Sequence, residues 1–589
     1  MVCAFEIKVL KTTSHLPFFL NRTTPSLSSL LGSSPLCRSC FNQFLFSRSI
    51  APSSYHTGRR YLSLATSPTT ESAKMGLPSG KRVYNWYISL MAAMCMVLYG
   101  YDASVFNSLQ GSKNWLAWVD VDLKKDTQLI GLVNTAYTIG AIVAGFFIGG
   151  PTADYLGRRW GMAIGCFVTI IATLMQTFTP HHKLGVFIAG RVVIGIGQGM
   201  ALTAGPVYIG EVAPSEIRGH IMACWQMFYS VGSFIAYWIN YACSKRREQL
   251  GEWDWKMVVI FQMLVPILII IALPFQPESP RWHIQKNGNV EAARAALMRI
   301  RDTEEEVEQE LLQIREAIEY EKEAISSSYT ALFKDPSIRK RLYLAFALNV
   351  GQQLTGQGTL NSYSTSIYKK VWPSTDTINL INALNATMGI FFTLNAMWTA
   401  DRFGRRWLFL VGAAGMAVCM LIVPIVGMKT PTAADGTKSE PVGISIVFLL
   451  FLFIFFYKPT WGATTWMWTA EIFSVNVRAQ AVGMCSQMQN VANTIFQQFF
   501  PTFLANEGLN CLFFFMAMNI VLGIFVYFLI PETKQIPLEE MDQLFGGANH
   551  TEKGAQMLGV GPEEGHHGHS ALDNKDGAEI QQSERKEAV

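Results

Sequence analysis

The chain has 589 residues, of which 15% are charged and 50% are hydrophobic, and its formal net charge is +4. Soluble proteins carry about 25% charged residues, so this composition excludes a soluble enzyme, a disordered chain and a collagen. The small net charge gives no reason to expect a nucleic-acid partner. The hydrophobic residues gather in long blocks, which predicts a protein that lies in the lipid bilayer.

Residues 1–80 differ in composition from the rest of the chain. The first 75 residues hold eight Lys and Arg but only two acidic residues, Glu6 and Glu71, among many Ser, Thr and Pro. This composition is transit-peptide-like, but the opening CAFEIKVL lacks periodically spaced Arg, which favours a spurious upstream extension with Met75 as the true start. On either interpretation we expect residues 1–80 to be poorly ordered.

Twelve apolar blocks follow, each near the length of about 20 residues that a helix needs to cross a bilayer. An even number places both termini on one side. Eleven Lys and Arg between residues 281 and 341 predict that this side is the cytoplasm, and the plasma membrane is the expected location. The blocks are 86–108, 128–150, 160–178, 184–207, 219–242, 255–274, 342–366, 376–399, 407–427, 442–468, 479–502 and 510–530.

A charged stretch at residues 283–338 separates the sixth block from the seventh. Its Ala, Leu and Ile recur at helical spacing among the charges, which predicts a cytoplasmic linker of amphipathic helices. The linker divides an N-terminal six-helix half, 81–282, from a C-terminal six-helix half, 339–534. Residues 535–589 are polar, so we expect a disordered cytoplasmic tail.

Three motifs recur in the same order in the two halves. PTADYLGRRW at 151–160 recurs as TADRFGRRW at 399–407, GEVAPSEIRG at 210–219 as AEIFSVNVRA at 470–479, and PESPR at 277–281 as PETK at 531–534. The offsets are nearly equal: 247, 260 and 254 residues. The sequence therefore predicts an all-α membrane protein of two pseudo-symmetric halves that run the same way through the bilayer. Parallel halves of this kind are typical of transporters that rock about a central site.

The repeated motifs place charged side chains in loops at one face of the predicted bundle. We predict that these charges form gating salt bridges, within a loop or between the halves, that break when the halves rock. The alternative is that they only fix the topology and solvate the loops. The predicted gating residues are Asp154, Arg158, Arg159, Glu211, Arg218, Asp401, Arg405, Arg406, Glu471 and Arg478.

The sequence lacks the motifs of pumps and hydrolases. It contains no GxxxxGK[ST] phosphate loop, no HExxH and no GxSxG. Cys37 and Cys40 have CxxC spacing without a second pair, so a zinc site is not expected. We therefore predict no enzymatic activity, no catalytic residue, no cofactor and no metal. A channel is disfavoured because a body of two rocking halves is closed on one side at a time.

Eight motifs in order resemble the sugar porter family of the major facilitator superfamily. They are GYD at 100–102, PTADYLGRR at 151–159, GRVVIGIGQG at 190–199, PVYIGEVAPSEIRG at 206–219, PESPRW at 277–282, QQLTG at 352–356, ADRFGRR at 400–406 and PETK at 531–534. The resemblance covers about residues 81–545. It implies the major facilitator fold of twelve transmembrane helices, with a sugar bound at the midplane between the halves.

The resemblance also implies which residues bind the sugar. Gln226 lies where the family has a sugar-binding Gln in the fifth helix, Gln352 and Gln353 match a Gln pair in the seventh, and Trp466 matches a Trp in the tenth. A Gln offers a hydroxyl both a donor and an acceptor, and an indole offers a flat apolar face. The alternative for a single Gln is a hydrogen bond between helices.

The sequence departs from the family pattern in the predicted pocket. Gly358 stands where the family usually has Asn, and Asn361, about one turn further along, is the candidate to replace that amide. Gln489 and Asn490 stand where Asn-Trp is usual, and Lys458 where some relatives have an acid. These departures predict a roomier and more amide-rich pocket than that of a plain glucose carrier.

Asp102 brings a carboxylate into the first block, where a charge costs about 2.5–3.5 kcal/mol on insertion scales. Arg191, at the start of the fourth block, is the matching cation. In proton-coupled relatives the corresponding pair performs the coupling, so the resemblance implies that rocking separates the two and lets Asp102 take up a proton. The alternatives are a structural salt bridge, an Asp satisfied by Ser104 and Asn107, and a passive carrier.

The residues and the resemblance together predict a transporter that moves a monosaccharide, either a hexose or a pentose, by alternating access as a proton symporter. The alternatives are a disaccharide, polyol or quinate-like substrate, a passive facilitator, and a sugar sensor that does not transport. The expected partners are the sugar, the proton and the lipid bilayer, and no obligate protein partner is inferred.

Overall fold

The structure is a computed structural model that describes residues 80–123, 125–324, 333, 336–372, 374–431, 439–473, 475–534 and 545. These residues form helices and connecting turns, and none of them lies in a strand. The predicted N-terminal extension up to residue 79 lies outside the described residues. So does the predicted tail, apart from Phe545, whose ring centroid lies 5.2 Å from the guanidinium of Arg341.

Twelve helical segments follow the predicted order, and no observed end differs from its predicted block by more than six residues (86 predicted and 80 observed at the first). We call them spans 1 to 12. In order they are Gly80–Leu109, Thr127–Leu156, Arg158–Thr177, Leu184–Val212, Ser215–Ala223 with Trp225–Lys245, Trp253–Phe275, Pro336–Leu354 with Gln357–Tyr368, Thr375–Phe403, Arg405–Lys429, Glu440–Glu471, Val475–Glu507 and Leu512–Leu529.

Nine segments of the described chain are long and apolar enough to cross a membrane by length and composition alone. Gln480–Leu529 counts as one of these although it contains most of span 11 and all of span 12. Spans 5 and 7 are not among these nine segments, because their mean hydropathy is lower. Span 7 carries Gln352, Gln353, Gln357 and Asn361, so its low hydropathy follows from the polar side chains that it brings into the bundle.

The bundle exposes apolar side chains and buries charged ones. Phe147, Phe499 and Phe528 are 73%, 68% and 75% exposed, whereas Asp102 and Arg191 are fully buried. A water-soluble protein would bury such Phe side chains, but in a bilayer they contact lipid while polar groups find partners inside the bundle. The described chain is therefore arranged as a multi-pass membrane protein.

Two breaks in the helices expose backbone groups near the middle of the bundle. Span 7 is interrupted before Gln357, where Gly356 takes a positive φ of 92°. Span 10 contains a π-helical turn at Lys458–Gly462. Pro459 in this turn has no N–H to donate, and π turns are frequent at functional sites.

The described part of the predicted linker contains three helices, Pro280–Asn287, Val290–Ile300 and Glu304–Ala324. The linker docks on spans 1 and 4. The amide of Asn85 in span 1 donates to the carbonyl of Ile300 at 2.8 Å. The guanidinium of Arg301 binds both carboxylate oxygens of Glu310, at 2.6 and 2.8 Å, and reaches the carbonyl of Val212 at the end of span 4. The linker therefore belongs structurally to the N-terminal half.

Hydrogen bonds between the halves are concentrated away from the face where span 1 begins, which we call the terminus face. Near the end of span 1, Asn107 donates to Ser364 Oγ at 2.6 Å and accepts from the backbone N–H of Thr365 at 3.0 Å. At the start of span 2, Thr127 lies 3.0 Å from Thr502 of span 11. Because odd-numbered spans run away from the terminus face, these bonds close the opposite face, the far face.

Candidate substrate site

A cavity of about 360 Å³ lies between the two halves. Spans 1, 2, 4 and 5 line one side of it, and spans 7, 8, 10 and 11 line the other. The structure brings all seven predicted substrate-binding residues together on its wall: Gln226, Gln352, Gln353, Asn361, Trp466, Gln489 and Asn490. Their roles in binding stay predictions.

Two amide stripes from the C-terminal half line the cavity at helical spacing. Gln489, Asn493 and Gln497 are each four residues apart on span 11, and Gln357 and Asn361 have the same spacing after the break in span 7, with Gln353 just before the break. Side chains four residues apart share one face of a helix. The sequence analysis missed Gln357, Asn493 and Gln497, although this spacing could have identified them.

The two helix breaks position the predicted Gln pair and Trp. The amide nitrogen of Gln352, just before the break in span 7, donates to the carbonyl of Trp461 at 2.8 Å, within the π turn of span 10. Its amide oxygen has no hydrogen-bond partner among the described residues. Trp466 follows the π turn and stands half-buried on the same cavity. The breaks in spans 7 and 10 therefore meet beside the cavity.

Several amide oxygens on the cavity wall lack a protein partner. An amide oxygen accepts hydrogen bonds, and a hydroxyl-rich molecule would supply donors to these groups. Buried polar groups in native proteins are normally paired, so a cluster of unpaired acceptors around one space is typical of a polar binding site. Within the described chain, the buried unpaired oxygens on the wall belong to Gln352, Gln357, Asn385, Gln489 and Gln497.

Gly358 stands where the resembled family usually has Asn, and the structure gives a reason. A Cβ at this position would lie 2.6 Å from the amide oxygen of Gln353 and 3.0 Å from that of Asn493. The amides of Gln353 and Asn493 therefore use the space that a side chain at residue 358 would need.

The N-terminal half contributes mainly aromatic and hydroxyl groups to the cavity, with Tyr99, Tyr229, Ser230 and Tyr237 among them beside Gln226. The sequence analysis missed these residues. No spacing signal marks them, because Tyr and Ser are also common in helix contacts that bind nothing. Tyr237 does both: its hydroxyl accepts a hydrogen bond from Asn107 at 2.7 Å and its side chain lines the cavity.

Asp102 and Arg191 lie next to each other but do not form a side-chain ion pair. Arg191 Nη1 reaches the backbone carbonyl of Asp102 at 3.5 Å, and its guanidinium lies 4.9 Å from the ring centroid of Tyr137. Neither carboxylate oxygen of Asp102 has a hydrogen bond of good geometry among the described residues, although the side-chain amide of Gln262 lies beside the carboxylate. Ser104 and Asn107 bond elsewhere, to Ser233 and Ser364 among others.

The repeated charges of the N-terminal half form one network on the terminus face. Arg158 binds Glu211 with two hydrogen bonds of 3.0 and 3.1 Å and approaches Asp154 at 3.2 Å. Glu278 accepts from the backbone N–H groups of Arg158 and Arg159, so it caps the start of span 3. A carboxylate is favoured there because the N-terminal N–H groups of a helix are unpaired.

The C-terminal half repeats this arrangement. Arg405 donates to Glu471 at 2.7 and 3.1 Å. Glu532 accepts from the backbone N–H groups of Arg405 and Arg406 at 2.8 and 3.0 Å. The predicted gating side chains of Asp401 and Arg478 lie outside the described part, and Arg218 donates to the carbonyl of Ala213. The hydrogen bonds described for both networks stay within one half.

Glu278 and Glu532 are functional candidates that the sequence analysis missed as individual residues, although their motifs were identified as a repeat. Each carboxylate lies against a glycine with positive φ, Gly157 at 106° and Gly404 at 86°. A Cβ there would stand 2.5 Å from Glu278 and 2.7 Å from Glu532. Burial raises the pKa of Glu278, while the backbone N–H groups of Ser279, Arg159 and Arg158 oppose the shift.

The described residues contain no group of three His, Cys, Asp or Glu side chains that could hold a metal ion. Apart from Lys458, the described residues that line the cavity are uncharged. The arrangement is therefore suited to bind a ligand by hydrogen bonds.

The chain is similar to several known proteins. A family model described as "Sugar (and other) transporter" matches residues 88–545. The quinate permease of Emericella nidulans is 31% identical over 494 residues, covering 80% of this chain and 90% of the relative. A probable quinate permease of Aspergillus terreus is 31% identical over 493 residues, covering 80% and 89%.

Among solved structures, the xylose transporter XylE from E. coli in an inward open conformation matches with a TM-score of 0.65. The match has 23% identity and covers 78% of this chain and 100% of that chain. XylE bound to 6-bromo-6-deoxy-D-glucose, described as a proton:xylose symporter of the major facilitator superfamily, matches with a TM-score of 0.63 and 24% identity over 79% and 100%. This likeness shows the fold.

Proposed function

Because this chain belongs to the sugar transporter family of the major facilitator superfamily, we propose that it carries a small polyhydroxylated compound of monosaccharide size, coupled to a proton. The observation that carries the proposal is the cavity between the halves, with its unpaired amide oxygens and Trp466. The family consists of transporters, so the chain is a membrane transporter and not an enzyme.

The inter-half hydrogen bonds support alternating access. They close the far face at Asn107, Thr127 and their partners, while the cavity reaches towards the terminus face at Gln226 and Trp466. The two charge networks on the terminus face hold each half together without bridging the opening. This state releases substrate on the terminus side, and any gating salt bridge between the halves belongs to the opposite state.

The environment of Asp102 supports proton coupling. An ionised carboxylate without an ion-pair partner is costly in a buried site, and a proton on Asp102 removes that cost in this state. Arg191 lies close enough that a small shift of span 4 against span 1 would create an ion pair and expel the proton. We expect uptake from outside, with the terminus face in the cytoplasm, since the Lys and Arg of residues 281–341 favour that side.

A second candidate substrate is a quinate-like cyclic acid. Two relatives at 31% identity are described as a quinate permease and a probable quinate permease. The pocket departures at Gly358, Gln489 and Asn490 distinguish this cavity from that of a plain glucose carrier. The amides of Gln353 and Asn493 occupy the space beside Gly358, and Gln489 and Asn490 add further amides to the wall.

The test is uptake by reconstituted vesicles with a labelled panel of hexoses, pentoses, polyols and quinate, followed together with the external pH. We expect the wild type to take up one class of compound and to make the external medium more alkaline. Asp102→Asn should not accumulate substrate, although it should still exchange substrate across the membrane. A protein that binds these compounds without flux would be a sensor. Flux without a pH change, with accumulation unaltered in Asp102→Asn, would contradict the coupling.

A further inference from the structure

Lys458 is the charged residue of the cavity. Its side chain lies at the start of the π turn of span 10 and is 8% exposed. The described residues that line the cavity include no Asp, Glu, Arg or His. A single buried ammonium therefore stands among amides, hydroxyls and aromatic rings.

The protein partners of this ammonium are neutral. Lys458 Nζ donates to Ser230 Oγ at 3.1 Å across the interface between the halves, and Ser230 in turn lies 3.2 Å from Thr393 Oγ1. The ring centroid of Tyr229 is 5.5 Å away. Within the described chain, no carboxylate lies within 4.0 Å of Nζ. A lysine ammonium has three donors, and a buried charge normally requires an opposite charge.

The backbone aims Lys458 and Trp466 at the same space. The two residues are eight positions apart, which in a regular α-helix places them about 80° apart. The π turn between them takes up one additional residue, so the separation corresponds to about seven helical steps, or within about 20° of the same face. The break in span 10 therefore turns the charge and the indole towards one ligand.

We propose that Lys458 binds the carboxylate of the transported molecule, so that the substrate is a small polyhydroxylated acid and not a neutral sugar. This inference rests on the proposed transport function and names its substrate class. In this proposal the substrate carboxylate is the counter-charge of Lys458. The hydroxyls bond to the Gln and Asn amides of the cavity wall, and the ring lies against Trp466.

The proposal has a consequence for the driving force. If one proton moves with each substrate, transport of a neutral sugar moves one positive charge inwards. Transport of a monoanion with one proton moves no net charge. Uptake of the acid is then driven by the pH gradient alone and does not respond to a membrane potential set with potassium and valinomycin.

The test compares quinate, a cyclic polyhydroxylated carboxylate, with inositol and glucose, which are neutral, in reconstituted vesicles. We expect the wild type to take up quinate at least tenfold faster than inositol or glucose, with no response to potential. Lys458→Gln is expected to lose at least tenfold of the quinate uptake, and Lys458→Arg, which keeps the charge, to retain most of it. Lys429→Gln, which changes an exposed lysine at the end of span 9, is the matched control.

The outcomes distinguish failure of the carboxylate site at Lys458 from failure of the proposed transport function. Uptake of glucose or inositol without quinate would overturn the carboxylate site and leave the transport function intact. Unchanged quinate uptake in Lys458→Gln would also overturn it. Flux of none of these compounds would overturn the proposed function itself. Because the wild-type substrate preference is measured without any variant, a poorly folded Lys458→Gln does not remove the test.

Discussion

The two halves of the molecule are alike on the terminus face and unlike at the cavity. The Arg158–Glu211 and Arg405–Glu471 pairs, with Glu278 and Glu532 above them, occupy equivalent positions in the repeat. Among the described residues that line the cavity, the N-terminal half supplies two amide side chains and the C-terminal half ten, together with Lys458. The duplicated residues therefore hold each half together, while the residues that line the cavity differ between the halves.

The strongest test of this difference between the halves is to remove the cavity side chains that the C-terminal half supplies. We expect Trp466→Ala and Gln352→Ala to reduce uptake by about 5- to 150-fold at low substrate concentration. Loss of one buried hydrogen-bonding group costs about 1–3 kcal/mol, and about 1.4 kcal/mol is a factor of ten. The measurement is initial uptake normalised to the protein in the membrane.

Trp407→Ala is the matched control for the indole, since Trp407 is in the same half and 65% exposed. Its uptake should stay near that of the wild type. Normal uptake in both Trp466→Ala and Gln352→Ala would remove the site from this cavity.

The charge networks should differ in strength although their geometry repeats. The Arg158 and Glu211 side chains are 6% and 11% exposed, against 12% and 25% for Arg405 and Glu471. Removing one member of a buried pair costs about 3–5 kcal/mol. We therefore expect Glu211→Gln to lower the thermal stability of the purified protein more than Glu471→Gln does.

Glu308→Gln is the control for this pair of variants. Its partner Arg294 and Glu308 itself are 50% and 45% exposed, and exposed ion pairs contribute about 0–1 kcal/mol. Equal effects of all three substitutions would mean that burial does not determine the strength of the networks.

A smaller effect is expected from the N-terminal amide. Gln226→Ala should reduce uptake by less than Gln353→Ala, because Gln226 stands largely among aromatic and hydroxyl groups whereas Gln353 belongs to an amide stripe. Dose–response curves for the two variants, made in the same membranes, give the comparison. A larger loss from Gln226→Ala would place the recognition centre in the N-terminal half.

The smallest effect concerns pH at the far face. Burial, with Lys113 and Arg247 nearby, lowers the pKa of Lys369 to about 8, and Lys369 Nζ donates to the carbonyl of Gln110 at 2.6 Å. An exposed Lys has a pKa of about 10.4. Between pH 8 and this value, Lys369 therefore binds fewer protons when the far face is closed than when it is open. Raising the pH from 7 to 9 should therefore favour closure.

The far-face distance between spin labels at Lys125 and Thr375 would report this change. Its distribution should shift towards shorter values as the pH rises, and Lys369→Met should abolish the shift. A shift towards longer distances in the wild type would show that Lys369 is not the group that responds.

The sequence predicted the twelve spans and their order because lipid leaves little freedom: a helix must be apolar for about 20 residues. It also identified the paired charges, since Asp, Arg and Glu recur in both halves. The capping role of Glu278 and Glu532 could not be predicted, because it requires the end of one helix to meet the start of another about 120 residues away in the chain.

The cavity was predicted in part for a similar reason. Gln352 and Trp466 stand in motifs, but whether Tyr229 or Ser230 faces the cavity depends on the rotation of span 5 against its neighbours. Lys458 shows the limit most clearly. Its direction depends on the π turn that begins at Lys458 itself, and hydrophobic periodicity assumes regular helices.

The docking of the linker has a practical consequence. Because Asn85 and Arg301 tie its helices to spans 1 and 4, the linker travels with the N-terminal half as one body. A fluorophore at an exposed linker position such as Met298 would then keep a fixed position relative to the N-terminal half. Movement of the C-terminal half can be measured as a change in its distance from this label, and no residue of the cavity needs to be altered.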